Sequence, residues 1–230
     1  GVVPQPLAQQ LWQGLPHVLL PNPAAPLERL DAVAYGPGLG GGALNAELQD
    51  FPGLLLLDAD GLNRLVAQGN VQLWLQQRTG PTWLTPHAVE FERLFPELAA
   101  LPPHQAASQA AQQSQCWVLR KGARTVIASP DGMVRQVLQS EARAARAGLG
   151  DVLSGYAAGL GAMGLASGLH PTDDRFDGLL ALAALAHATA GIRQCQAGAG
   201  AASPLAIAQM IQKVQDADIF EHSENNLMRD

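Results

Sequence analysis

Residues 53–60, GLLLLDAD, place four leucines before two carboxylates, and a helical pattern begins directly after them. A short apolar run that ends in polar residues before a helix is typical of a buried strand in a parallel sheet. Four further runs share this form: HVLLP (17–21), AVAYG (32–36), TWLTP (82–86) and CWVLRK (116–121). Such strands, alternating with helical segments, predict an α/β fold in which helices flank a mostly parallel central sheet.

The pattern changes after the last of these runs. Residues 125–138, TVIASPDGMVRQVL, predict two short strands joined around an Asp-Gly pair, which is a strong hairpin signal between apolar runs. The Gln/Ala-rich segment 104–115 is low in complexity but compatible with a surface helix. Three helical stretches end the fold, at residues 151–164, 177–196 and 204–216.

Composition limits the domain count and the class of partner. A chain of 230 residues with 47% hydrophobic content suits one core, so we expect a single domain over residues 1–220 and a flexible polar tail over residues 221–230. The net charge of −6 argues against a nucleic-acid or anionic-membrane surface. Apolar runs stay well short of the roughly 20 residues of a membrane helix. We therefore expect a cytoplasmic protein with a small-molecule ligand, in which Cys116 and Cys195 are inert.

The strongest chemical signal is residues 146–155, RAGLGDVLSG. Its glycines stand directly before a helical run, where free backbone N–H groups and the positive end of the helix dipole can bind an anion such as phosphate. Asp151 falls in the first turn, where an acid can either cap the helix or act as a general base beside the phosphate. The residues alone leave both roles open.

Two segments at predicted strand ends are rich in glycine or acid. The loop YGPGLGGG (35–42) lets backbone approach a ligand closely, although its spacing is not that of a dinucleotide fingerprint. In DADGLN (58–63) we expect Asp60 to cap the following helix, which leaves the other carboxylate for a ligand or metal.

Two more strand ends carry a histidine and a lysine. His87, in TPHAVEF (85–91), is typical of a capping or surface residue but lies at the same predicted sheet edge. Lysine occurs only at Lys121 and Lys213, and the first of these ends a predicted buried strand in RKGART (120–125). This position favours binding of a nucleotide phosphate over a solubilising role.

In sequence order, GPGLG (36–40), DADGLN (58–63), TPHAVEFERL (85–94), RKGARTVI (120–127) and AGLGDVLSG (147–155) resemble the ADP/ATP-dependent NAD(P)H-hydrate dehydratase family. The resemblance covers most of the chain and implies a three-layer ribokinase-like α/β fold. It implies a hydro-lyase that uses ADP or ATP to remove water from hydrated NADH or NADPH, releasing AMP or ADP and phosphate. It also implies Mg²⁺ as cofactor and a homo-oligomer such as a tetramer.

The resemblance implies roles for individual residues. Gly40 and His87 are expected to contact the hydrated cofactor, and Asp151 to face it as the catalytic base. The adenine nucleotide is expected to contact Gly150 and the loop residues Lys121, Gly122, Ala123, Arg124 and Thr125. Glu90 is expected to assist Mg²⁺ indirectly, with no direct metal ligand from the protein.

Two features depart from the family pattern. Arg143 and Arg146 stand where the family carries small residues, and the chain begins after the family's first strand and helix, so we expect it to be truncated at its N-terminus.

Two alternative functions stay open. The first alternative is that the chain is a ribokinase-like kinase for a vitamin precursor. Such a kinase uses a similar G-x-G-D segment and releases a stable phosphorylated product. The other is a non-catalytic nucleotide-binding remnant.

Overall fold

The computed structural model describes residues 26–196 and 202–214. The chain divides into two compact units, residues 1–30 and 31–230. Of the first unit, residues 26–30 are described, with a 3-10 turn at Leu27–Arg29. The predicted strand at 17–21 and the predicted tail lie outside the described residues, and the single domain over residues 1–220 stays a prediction.

The second unit is built on a six-stranded sheet in the order β1-β2-β3-β4-β5-β6. The strands are β1 Ala32–Tyr35, β2 Leu54–Leu57, β3 Thr82–Leu84, β4 Trp117–Arg120, β5 Thr125–Ala128 and β6 Val134–Val137. The first four pair in parallel, and the last two join in antiparallel orientation. The sheet therefore confirms the predicted strands among the described residues. It also confirms the hairpin, whose turn places Gly132 at φ 94°.

Helices connect and cover these strands. They are α1 Asp60–Gln68, α2 Val71–Gln76, α3 Ala88–Leu94, α4 Pro103–Ser114, α5 Leu149–Ala166, α6 Asp174–Gln196 and α7 at residues 204–214. Short 3-10 turns occur at Ala46–Leu48, Pro96–Leu98 and Ala142–Ala144. The predicted C-terminal helices are present, although α5 and α6 begin before the predicted residues, because sequence pattern specifies helix ends only loosely.

Helices cover both faces of the sheet. Leu54 and Leu56 of β2 join a buried cluster with α5 and α6, and Phe176 of α6 packs there against Trp83 and Trp117 with ring centroids 5.5 Å apart in each pair. Because side chains alternate along a strand, the neighbouring leucines of β2 point to the opposite face, where they are also fully buried. The result is a three-layer α/β arrangement.

The predicted surface helix is α4, which packs on β4 and β5. One of its faces is buried, so its surface character is only partial. The buried positions are small residues: Ala106, Ala107, Ala110, Ala111 and Ser114. They recur at helical spacing, which lets the helix backbone approach the sheet closely. Among the described helices, none has the length and apolar character of a membrane-spanning segment.

Candidate active site

A polar cluster of Asp58, Glu90, Lys121 and Ser154 lies at the carboxyl edge of the sheet, and Asp58 is its centre. It directly follows β2, and its side chain is 1% exposed. Its Oδ1 atom accepts hydrogen bonds from the Lys121 ammonium at 2.6 Å and from the backbone N–H of Ala59 at 2.9 Å. Its Oδ2 atom accepts one from the Ser154 hydroxyl at 2.6 Å. Asp58 thus joins the end of β2 to the end of β4 and to the second turn of α5.

A second carboxylate, that of Glu90, lies near the lysine. Glu90 Oε2 is 3.9 Å from Lys121 Nζ, and Glu90 is 5% exposed. Its carboxylate also accepts the backbone N–H of His87 at 2.8 Å, while His87 Nδ1 accepts the N–H groups of Val89 and Glu90. His87 is therefore the N-cap of α3 in a capping box, and this cap fixes the buried glutamate beside the lysine.

The start of α5 faces this cluster. A Cβ atom added to Gly150 would lie 3.6 Å from both Asp58 Oδ2 and Lys121 Nζ, so the glycine gives the ion pair an open side. The N-cap of α5 is Gly148, at φ 85°, and Asp151 follows in the first turn. Asp151 is therefore not the N-cap residue. Its side chain is exposed, directly after the glycine that faces the ion pair.

A cavity of about 480 Å³ opens beside the cluster. Five of the residues predicted to bind ligands line it: His87, Lys121, Gly122, Thr125 and Gly150. The others do not line it: Gly40, Ala123, Arg124 and Asp151. The cavity is walled by the β4–β5 turn, the segment from the end of β6 to the start of α5, the middle of α6 and one residue of α7. It therefore gathers most of the predicted nucleotide residues and one predicted cofactor residue in a single concave space.

Gly40 lies in the separate glycine loop after β1. Its backbone N–H donates to Asp60 Oδ2 at 2.8 Å, and its carbonyl accepts from Arg64 Nε at 3.1 Å. The prediction that Asp60 caps α1 is wrong, because Ala59 is the N-cap residue and the Asp60 carboxylate binds the glycine loop instead. The loop is adjacent to the cluster, since the backbone of Gly36 packs directly on that of Asp58.

The two arginines that depart from the family pattern differ in their surroundings. Arg143 forms two side-chain hydrogen bonds to Glu141, at 3.0 and 2.7 Å, and does not line the cavity. These bonds hold the pKa of Glu141 down to about 2. Arg146 does line the cavity. Arg146 therefore lies at the cavity wall, whereas Arg143 pairs with Glu141 and does not line the cavity.

His187 of α6 contributes a neutral polar group to the cavity wall. Burial lowers its pKa, against a smaller opposing effect of the Leu149 backbone. Its Nε2 atom is buried and has no hydrogen-bond partner among the described residues. Sequence reasoning missed this residue, since a histidine in the middle of an apolar helix is typical of the core.

The described residues do not form a metal cage. No group of three His, Cys, Asp or Glu side chains among them is arranged to hold an ion. Asp58 and Glu90 both face the Lys121 ammonium, which occupies the place that a cation bound directly between them would need. Direct binding of Mg²⁺ by these carboxylates does not fit this arrangement.

Sequence reasoning also missed two contacts that organise the cluster. Ser154 lies inside the quoted segment RAGLGDVLSG, but its bond to Asp58 spans 96 positions. Arg64 follows the DADGLN segment directly and was not singled out. A polar residue one helical turn after a site residue is the signal that could have drawn attention to both.

Solved structures of similar shape agree with this architecture. The ADP/ATP-dependent NAD(P)H-hydrate dehydratase of Bacillus subtilis, co-crystallised with ATP/Mg²⁺ and soaked with CoA, matches with a TM-score of 0.70 and 22% identity, over 93% of this chain and 78% of that one. A ribokinase-like superfamily protein of Enterococcus faecalis matches with a TM-score of 0.69 and 24% identity, over 83% and 64%. At these identities the likeness establishes the fold, and the predicted three-layer ribokinase-like fold is confirmed.

Relatives of higher identity are bifunctional NAD(P)H-hydrate repair enzymes. The one from Gloeobacter violaceus is 44% identical over 156 residues, which cover 66% of this chain and 30% of the relative. The one from Synechocystis is 44% identical over 174 residues, covering 74% and 31%. The chain therefore spans about a third of the length of these relatives. The family model described as NAD(P)H-hydrate dehydratase matches residues 7–213, so the chain belongs to the NAD(P)H-hydrate dehydratase family.

Proposed function

We propose that this chain catalyses the dehydration of hydrated NADH or NADPH, driven by ADP or ATP, with release of AMP or ADP and phosphate. The observation that carries the proposal is the single cavity that brings Lys121, Gly122, Thr125 and Gly150 together beside a buried ion pair. These residues belong to the two segments with the strongest phosphate-binding signal. Family membership supplies the reaction class.

The nucleotide is proposed to lie in the cavity with its phosphates toward Lys121 and the start of α5. Lys121 supplies the positive charge, and backbone N–H groups of the first turn supply further donors. Asp58 holds the ammonium in place through the 2.6 Å bond. Ala123 and Arg124 belong to the same turn and are proposed to contact the nucleotide although they do not line the cavity.

The hydrated cofactor is proposed to bind between the glycine loop, with Gly40, and the start of α5. Asp151 then accepts the proton of the substrate hydroxyl, whose oxygen attacks the terminal phosphorus of the nucleotide and displaces AMP or ADP. Phosphate next leaves with the electron pair of the carbon–oxygen bond, and loss of a proton from the adjacent carbon restores the double bond of the reduced nicotinamide. His87, which lines the cavity and caps α3, is proposed to contact the hydrated cofactor.

Mg²⁺ is proposed to arrive with the nucleotide and not in a site made by the protein. The B. subtilis structures were obtained with ATP/Mg²⁺. In sites of this kind the ion is held largely by phosphate oxygens and water. A homo-oligomer and a cytoplasmic location are likewise proposals that follow from the family.

The test mixes this chain with hydrated NADH, Mg²⁺ and ADP and follows recovery of absorbance at the reduced-nicotinamide band, with phosphate and AMP measured in parallel. We expect absorbance, phosphate and AMP to rise together in equal amounts. A stable phosphorylated product without absorbance recovery would favour the kinase alternative. A rise in melting temperature with ADP, without any turnover, would favour the non-catalytic remnant.

A further inference from the structure

The glycine loop after β1 has no hydrophobic support of its own. Residues 38–43 are all exposed, and a Cβ atom added at Gly38, Gly40 or Gly41 would meet no other atom within 4 Å. Four glycines of the loop adopt positive φ values: Gly36, Gly38, Gly40 and Gly42. An exposed, glycine-rich segment of this kind needs another source of order if it is to bind a ligand in one conformation.

Arg64 of α1 supplies that order. Its guanidinium donates to the backbone carbonyls of Leu39, Gly40, Gly41 and Ala43 at distances between 2.7 and 3.3 Å. It also donates to the Tyr35 hydroxyl at 2.8 Å and lies over the Tyr35 ring, 5.8 Å from the centroid. One turn earlier on α1, Asp60 accepts the Gly40 N–H. A single helix face therefore holds the loop through four arginine bonds and one aspartate bond, and the fifth arginine bond goes to Tyr35 at the end of β1.

This arrangement decides which backbone groups of the loop can meet a ligand. The carbonyl oxygens of four loop residues are turned toward Arg64, so they do not present partial negative charge to an approaching anion. By contrast, the N–H groups of Gly38, Gly41 and Gly42 have no hydrogen-bond acceptor among the described residues. A loop whose carbonyls are bound and whose N–H groups are available suits the negatively charged pyrophosphate of a dinucleotide.

We infer that Arg64 is a positioning residue for the glycine loop, which it holds in the conformation that binds the hydrated cofactor. The inference rests on the proposed function for the identity of the ligand. Arg64 acts through the loop, so its loss weakens binding of the hydrated cofactor while binding of the adenine nucleotide, in a cavity that neither Arg64 nor the glycine loop lines, is unaffected. No other described side chain donates to these four carbonyls.

The experiment compares the wild-type chain with Arg64→Ala and Arg64→Lys, and uses Arg93→Ala as a matched control. Arg93 is an exposed arginine near the same helix, and its Nη1 atom donates to Asn63 Oδ1 at 3.0 Å. We expect Arg64→Ala to raise KM for hydrated NADH by about tenfold or more and to leave KM for ADP within about twofold. Arg64→Lys keeps the charge but cannot bond four carbonyls at once, so its KM for hydrated NADH is expected to lie between those of the wild type and Arg64→Ala. Arg93→Ala is expected to behave as wild type.

Hydrogen exchange of the loop amides in the ligand-free chain gives a second readout that does not depend on catalysis. The amides of Leu39 and Gly40, which donate to Gly36 O and Asp60 Oδ2, are expected to exchange at least about tenfold faster in Arg64→Ala, while the amides of β2 keep their wild-type rates. Equal rises in both KM values, or unchanged loop exchange, overturn the inference. A wild-type chain without dehydration activity would instead count against the proposed function, and loop exchange would still decide the role of Arg64.

Discussion

The ammonium nitrogen of Lys121 lies 2.6 Å from Oδ1 of Asp58, although 63 positions separate the two residues in the chain. The carboxylate is buried and the ammonium is 21% exposed, so the pair stands at the boundary between the core and the cavity. Ser154 satisfies the other oxygen of the carboxylate. Removal of either charge leaves the remaining one poorly solvated, which costs more free energy than the pair itself contributes.

Lys121→Met separates the structural role of this pair from its role in ligand binding. We expect the variant to lose about 3 kcal/mol of unfolding free energy, because Asp58 then lacks a cation, and to lose most of its ADP affinity. Lys213→Met removes the other lysine, which is exposed, and is expected to change neither property. Urea unfolding and calorimetric titration with ADP and Mg²⁺ measure the two quantities.

The double variant Lys121→Met/Asp58→Asn sharpens this prediction. Neutralising the carboxylate removes the unpaired buried charge, so we expect most of the lost stability to return. ADP affinity is expected to stay low, because the cation is still absent. Recovery of ADP binding in the double variant would show that Lys121 only balances Asp58 and does not contact phosphate.

Asp151→Asn tests the proposed base. The amide keeps the shape of the side chain but accepts no proton, so we expect the dehydration rate to fall by about 10²-fold or more. The rise in melting temperature on ADP addition is expected to match that of the wild type. If turnover and the ADP-induced rise disappear together, the role of Asp151 is to stabilise the start of α5 and not to catalyse the reaction.

Asp177→Asn is expected to raise the free energy of unfolding by an amount that depends on pH. Burial raises the pKa of Asp177, against a smaller lowering by the hydrogen bond from Trp117 Nε1 at 2.6 Å. The folded state therefore binds a proton more tightly than the unfolded state, and unfolding free energy falls as pH rises from the unfolded pKa through the raised folded pKa. The asparagine oxygen can still accept from Trp117, so we expect the variant to be more stable than wild type at pH 7 and the difference to shrink at pH 4.

Two further variants control this measurement. Asp174→Asn alters an exposed acid in the same first turn of α6 and is expected to show a much smaller gain at pH 7, since the Asp174 charge is only the smallest of the causes that raise the pKa of Asp177. Asp177→Leu leaves the indole N–H without an acceptor, and we expect it to cost about 1–3 kcal/mol. A wild type that stays more stable than Asp177→Asn at every pH would show that the ionised carboxylate is the favoured partner of Trp117.

The sequence predicted the sheet well because strand signals are local. Apolar runs that end in acid, histidine or lysine identified β2, β3 and β4, and parallel pairing then placed Asp58, His87 and Lys121 at one edge. The partners of these groups depend on side-chain reach across distant segments. Asp60 was predicted to cap a helix and instead binds Gly40, 20 positions earlier. No periodicity in the chain specifies such a bond, since it depends on the final shape of the loop.

Gly161 of α5 tests the close packing of this helix on the sheet. A Cβ atom added there would lie 2.1 Å from Leu54 Cδ2 and 3.1 Å from a ring carbon of Trp83, both fully buried. We expect Gly161→Ala to lose about 1–3 kcal/mol of unfolding free energy, because the core must shift to admit the methyl group. Gly159→Ala, in the same helix, meets no atom within 4 Å and is expected to gain up to about 1 kcal/mol from helix propensity alone. Thermal unfolding measures the change in stability of both variants. Equal changes in unfolding free energy would mean that α5 does not pack on β2 as closely as the structure places it.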